Sequence, residues 1–228
     1  NNEIKYDVRR EPTLKLKPLS DDTSSNFGDS VAINNQYIVV GSPFWDSGSG
    51  VLSGRVYIYK KVSGNTWGLK LESDHTYFSP NLALEIPTTH ITNSHEAAFG
   101  RPIAISDDHI IVGCNLGEIS GFTNNGLAFI YKNNTPTTSY DLNFQLVSTL
   151  VASDRKTSGF FGSSVSISNN YAIIGSSYSD NTVNGTNYTS SGAAYIFEKN
   201  SDGTWGKQDN TISTLRKETV KVIPSLND

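Results

Sequence analysis

A fifteen-residue pattern is written three times in this chain without a gap: FGDSVAINNQYIVVG at Phe27–Gly41, FGRPIAISDDHIIVG at Phe99–Gly113 and FGSSVSISNNYAIIG at Phe161–Gly175. In each copy Phe-Gly leads into an alternating apolar run: Val31 and Ile33, Ile103 and Ile105, Val165 and Ile167. A polar pair follows (Asn34-Asn35, Asp107-Asp108 or Asn169-Asn170), and then a second apolar run that ends on Gly41, Gly113 or Gly175. Period-2 alternation around a short turn predicts a β-hairpin. Asn and Asp suit the turn because they tolerate positive φ and bond their own backbone.

Each hairpin runs into a variable loop, SPFWDSGSGVLS, CNLGEISGFTNN or SSYSDNTVNGTNYTSS. Each loop returns to a Gly-led aromatic strand: Gly54–Tyr59, Gly126–Tyr131 and Gly192–Phe197. A further strand is expected from a turn around Trp67 and around Trp205, each 13 residues after its glycine. The middle copy replaces that signal with Tyr140 and the run Phe144–Val147. Asx-led turns at Ser20-Asp21, Ile91-Thr92-Asn93 and Ser153-Asp154 precede the copies, and a short strand over Leu14–Leu19 precedes the first. A linker insertion at about Ser73–His90 lengthens the first unit. Four strands repeating at this period are the signature of propeller blades, in which each sheet buries its faces against its neighbours. The expectation is an all-β, propeller-like fold of three four-stranded antiparallel blades. A polar lead-in occupies 1–13, the blades 14–215 with repeats starting near 27, 99 and 161, and a C-terminal strand or tail 216–228.

The net charge of −4 gives no basic footprint for nucleic acid or an anionic membrane. No apolar run approaches the roughly 18–20 residues that span a bilayer as a helix. One cysteine, Cys114, excludes an intrachain disulfide and a cysteine-based zinc cluster. The absence of Met, even at position 1, points to a processed or excised piece of a longer product.

FGDSVAI, YIVVGSP and SGRVYIY resemble the FG-GAP repeat of integrin α-chain propellers and of many bacterial and protist surface proteins. The resemblance covers nearly all of Leu14–Leu215. The element after the hairpin departs from the family's pattern, reading Gly41-Ser42-Pro43, Gly113-Cys114-Asn115 and Gly175-Ser176-Ser177. Integrin-type repeats often carry a calcium loop between the first two strands. Here that place holds only two-residue turns, too short to supply about six to eight oxygen ligands. The chain therefore resembles the calcium-free branch of the family, and no cofactor or metal is expected.

No GxSxG, HExxH or phosphate-loop motif is present, so no catalytic residue is assigned and the chain is not expected to be an enzyme. Asp46 and Asp180-Asn181 read as Asx turns before they read as cation ligands. His90 and His95 lie five apart, which fits neither a strand nor a helical ligand pair. Cys114, just past a strand end, reads as a packed thiol. The repeating aromatics, Phe27, Phe99 and Phe161 among them, read as inter-blade core. Phe44, Trp45 and Tyr188 do not repeat and lie in loops, which makes them the candidate contact residues. Asn133, Asn184 and Asn187 open N-x-Ser/Thr sequons and are candidate glycan acceptors.

The expected function is an extracellular or cell-surface module of structural or adhesion type, presenting variable loops to protein partners. A glycan-binding, lectin-like propeller is the alternative, and an enzyme with an inter-blade pocket the more distant one. Counting also bears on assembly, because closed propellers use about four to eight blades. Three blades would leave two faces bare. The expected partners are therefore further blades or further copies. In the other arrangement, the N-terminal strand closes a ring with the strands near Thr211–Ile223.

Overall fold

The computed structural model describes residues 14–19, 22, 24–46, 48, 52–64, 66–70, 77–87, 97–119, 121–135 and 142–225. The lead-in, the turns at Ser20-Asp21 and Ile91–Asn93, His75, His90, His95 and Tyr140 lie outside them. The chain opens with β1 (Lys15–Leu16), β2 (Ser30–Ile33), β3 (Tyr37–Ser42) and β4 (Arg55–Ser63). Four short strands follow: β5 (Thr66–Trp67), β6 (Leu69–Lys70), β7 (Tyr77–Ser79) and β8 (Leu82–Glu85). The middle contributes β9 (Ile103–Ser106), β10 (His109–Cys114), β11 (Leu127–Asn133) and β12 (Phe144–Val151). The last part contributes β13 (Phe161–Ile167), β14 (Tyr171–Ser176), β15 (Asn181–Val183) and β16 (Thr186–Tyr188). It ends with β17 (Ala193–Glu198), β18 (Lys207–Gln208), β19 (Leu215–Lys217) and β20 (Val220–Val222). The described residues contain no helix.

Each repeat builds one antiparallel blade: β2-β3-β4-β8, β9-β10-β11-β12 and β13-β14-β17-β20. The hairpins form where the alternation places them, and the first is closed by an Asx turn. Asn34 Oδ1 accepts the N–H groups of Gln36 and Tyr37, both at 2.8 Å.

The turns at Trp67 and Trp205 do not lead straight into a blade's fourth strand, as the spacing predicts. In the third repeat the chain leaves β17, crosses to the second blade as the hairpin β18-β19, and only then returns as β20. β19 pairs with β12 in parallel, Leu150 opposite Arg216. The first repeat makes the same excursion: β6-β7 departs and β8 returns to pair with β4. Part of the expected insertion is thus the pair of strands β7 and β8. Gly68 and Gly206 permit the turn, with φ of 74° and 72°. A Cβ there would sit 2.3 Å from Ser79 O and 2.5 Å from Lys217 O.

β1 pairs with β7 in parallel, Leu16 opposite Phe78, as β12 pairs with β19. The N-terminal strand therefore stands where the outer strand of a preceding blade belongs. Among the described residues it pairs with β7 and not with the C-terminal strands, which differs from the ring closure given above as the other arrangement. β19 and β20 complete the second and third blades, which carries the blade region past Leu215 to Val222.

The blades stack face to face. One apolar cluster joins Tyr37, Val39, Val56 and Ile58 of the first blade to Phe99, Val112 and Phe129 of the second. Another joins Ile111 and Ile130 of the second to Phe161, Ile174, Tyr195 and Trp205 of the third. Fully burying one such side chain contributes about 1.5–3 kcal/mol, so these two seams dominate cohesion. A smaller cluster on the back of the first blade, Val40, Tyr57 and Tyr59, is covered by Leu16, Phe27 and Trp67.

Candidate interaction surfaces

The three variable loops leave the ends of β3, β10 and β14 and return as β4, β11 and β17, so all emerge at the end of the stack that carries Phe-Gly. The stems of the first two are tied to the neighbouring blade. The Phe99 N–H donates to Ser53 O at 3.2 Å and the Phe161 N–H to Asn125 O at 3.0 Å.

Beneath the first and third loops lies the same hydrogen-bonded node. Tyr57 Oη donates to Asp22 Oδ2 at 2.5 Å, and Ser42 Oγ lies 3.0 Å from that oxygen. In the third blade Tyr195 Oη donates to Asp154 Oδ1 at 2.9 Å and meets Ser179 Oγ, itself 2.9 Å from Ser176 Oγ. Burial pushes both phenols far above their ordinary range. In the second blade Phe129 and Cys114 replace the Tyr and Ser. Changing both together leaves neither hydroxyl of the pair there without its mate. Cys114 is fully buried, its thiol 3.2 Å from Ala97 O and pushed up by burial, as a packed thiol should be.

The structure corrects the sequence reading of Trp45. It is buried, with the Arg55 guanidinium 3.4 Å from its ring centroid and Arg55 Nη2 donating to Glu85 Oε1 at 2.5 Å. Arg55 caps the indole because the β4-β8 pairing places its carboxylate partner directly opposite. Phe44 is half-buried, 5.5 Å from the Arg101 guanidinium. That arginine grips Asp29 with two hydrogen bonds, of 2.7 and 2.6 Å, which holds the Asp29 carboxyl below its usual range. Tyr188 is half-buried at the end of β16.

The sequons separate by burial. Asn133 is buried; its amide donates to Tyr37 Oη at 2.9 Å and its carbonyl accepts from Thr135 and Asn143. A glycan has no room on the folded Asn133. Asn184 and Asn187 are exposed on the hairpin β15-β16, Asn184 at the Asn-Gly tip with φ of 52°. Asp180, weighed as a cation ligand, instead binds Lys156 Nζ at 2.6 Å and the Ser190 N–H at 2.7 Å. Asp46 accepts the Gly48 N–H at 2.9 Å.

Sequence reasoning missed one exposed feature and left the residues of a second unnamed. Tyr178 stands 51% exposed at the base of the third loop, its ring 5.3 Å from that of Phe160. The second is the pair of bare faces that end the stack. Val31 and Ile33 are 68% and 66% exposed on the back of the first blade. On the front of the third, Tyr171, Ile173 and Val222 are 54%, 42% and 47% exposed. Counting blades foretold bare faces; only the register says which residues carry them. An open cavity of about 460 Å³ lies on that front face, lined by Tyr171, Ile173, Ile196 and Val220.

No helix among the described residues is long and apolar enough to cross a membrane. No curated protein matches the chain. The family profile described as FG-GAP repeat matches residues 14–59 and 144–197, the first and third of the units above. FG-GAP repeats form β-propeller blades, are generally non-enzymatic and are typically found on extracellular or surface proteins. The first three strands of the middle unit, β9, β10 and β11, lie outside both matches and its last, β12, inside the second, yet the unit has the same strand order. The two profile matches identify FG-GAP repeats in this chain, and the fold extends the same blade architecture across the stretch between them.

Proposed function

We propose that this chain is a non-catalytic interaction module of the extracellular space or cell surface, presenting its variable loops to a protein partner from within a larger blade assembly. The observation that carries this reading is the contrast between stems and loops. The stems repeat one chemistry, down to the Tyr–Ser–Asp node of the first and third blades. The loops between them diverge in sequence, and the third, at 16 residues, is longer than the 12 of each of the others. A rigid frame with divergent loops at one end is how recognition surfaces are commonly built. The third loop, the longest of the three, forms an independent two-stranded hairpin, with Asn184 and Asn187 as its proposed glycan acceptors.

The test replaces Thr182–Asn187 by a short Gly-Ser turn, keeping the buried Asn181, whose amide holds the stem at Ser191 and Gly192. Binding to cell surfaces that express candidate protein partners should fall at least tenfold, with the melting temperature unchanged. Unaltered binding would sink the loop-display reading. A glycan array hit on the intact chain, lost on Tyr178→Ala, would favour the lectin-like alternative.

A further inference from the structure

We infer that the front face of the third blade docks the back of the first blade of a second copy of this chain, head to tail. In that junction β20 of one copy takes the place that β1 holds in the next. The inference rests on the assembly part of the reading above and names its partner.

Register is the first argument. Ile173 occupies the position of Val39 and Ile111, both fully buried where the next blade covers them. Val222, opposite Ala194, occupies the position of Leu84 opposite Val56 and of Leu150 opposite Ala128. Leu84 and Leu150 are buried, whereas Val222 is exposed. The complementary half lies at the other end of the same chain. Val31 and Ile33 match Ile103 and Ile105, which receive the first blade, and Val165 and Ile167, which receive the second.

The glycines give an independent argument. A Cβ on Gly41 would stand 2.1 Å from Gly100 O, and one on Gly113 would stand 2.5 Å from Gly162 O. Glycine is required there because the next blade's Phe-Gly backbone approaches so closely. Gly175 is the third of this series, and the atoms nearest a Cβ built there are the hydroxyl and Cβ of Ser164 and the hydroxyl of Ser163, with no backbone of another blade among them. Gly28 is its counterpart, equivalent to Gly100 and Gly162, with nothing within 4 Å of a built Cβ. Both ends are thus shaped for a close backbone contact that neither makes among the described residues. Ser30 Oγ donates to Gly100 O at 2.5 Å across the first seam. Ser164, its equivalent, is exposed and placed to do the same to Gly28 of a neighbour.

The strand exchange follows from pairing. At the second seam β12 is held by β11 on one side and by β19 on the other. β20 is held by β17 alone among the described residues. The matching parallel edge at the first blade is β7, occupied by only two residues of β1. A contact between two different surfaces of one chain is heterologous, and it propagates until a ring closes or a filament forms.

Light scattering and sedimentation of the full chain test this across the micromolar range. The mass should rise with concentration above the 24.8 kDa of one chain. Ile173→Asp and Val31→Asp alter exposed positions, so circular dichroism should show both variants folded. Each alone should remain at one chain. Mixed, they should form a species of twice that mass and nothing larger, since each keeps one good face. Leu16→Asp, which loosens β1, should move association to lower concentration. A chain that stays single at every concentration overturns the proposal, as does association that neither variant abolishes. Either failure leaves the loop-binding test above untouched, because that test reads a different end of the blades.

Discussion

Single positions in this chain do different work in different blades, and Gly113 and Gly175 show it most simply. Gly113→Ala should destabilise by about 1–3 kcal/mol, because the new methyl meets backbone of the next blade that cannot yield. Gly175→Ala in the unassociated chain should cost far less, since a serine hydroxyl can rotate away. Equal losses in chemical denaturation would remove the steric account. His109 gives a pH dependence. It is buried against Trp205, ring centroids 5.7 Å apart, with Nδ1 2.5 Å from Asp108 Oδ1 and Nε2 without a hydrogen-bond partner. Burial pushes its pKa below the usual histidine range, and Asp108 offsets only part of that. The unfolded chain therefore takes up this proton first as pH falls. Stability should decline from about pH 7 towards about pH 5, flattening once the folded imidazole also titrates. His109→Phe should reduce the slope of stability against pH in that window; an unchanged slope would show that other groups set it. Asp209 acts at lower pH: burial opposes its charge, yet Arg155 and the N–H groups of Ile212 and Thr211 outweigh it and hold the carboxyl low. Its contribution is present above the ordinary carboxylate range and lost as pH falls through the folded value.

At the level of elements, the hairpin β18-β19 staples the third blade's chain to the second blade's edge. Leu215 and Trp205 are fully buried within it, and the backbone N–H of Trp205 donates to Ser148 Oγ at 2.9 Å. Trp205→Ala should cost about 3–5 kcal/mol, while Trp67→Ala, at a half-buried equivalent, should cost clearly less. The reverse order in thermal melts would show that the two hairpins are not equivalent. The hairpins of the repeat were legible in the sequence because alternation and turn chemistry are local and occur three times over. The crossing of β18-β19 was not legible. Its strands are only two and three residues long, and their pairing with β12 spans more than fifty residues of sequence. Trp45 was misread for a related reason. It sits in a loop among Asp, Ser and Gly, and its burial depends on an arginine ten residues on and a carboxylate contributed by β8. Asn133 likewise reads as a surface sequon until its partners, Tyr37 and Asn143, are brought to it from elsewhere.

For the molecule as a whole, stability should be graded along the stack. In stacked repeats each unit is stabilised by its own pairing and by the neighbours on its two faces, so terminal units open first. The second blade is covered on both faces, by Val39 and Ile58 from one side and by Phe161 and Tyr195 from the other. The first blade has a partial cover from β1 and Phe27, and the third has a bare front. Amide hydrogen exchange should therefore be slowest in β10 and β11, faster in β3 and β14, and fastest in β1 and β20. If copies dock as inferred, raising the protein concentration should slow exchange in β20 and β14 while leaving β10 and β11 unchanged, because only the end faces gain cover. Uniform exchange across the three blades would mean that the seams transmit stability more completely than nearest-neighbour packing allows, and the graded picture would fall.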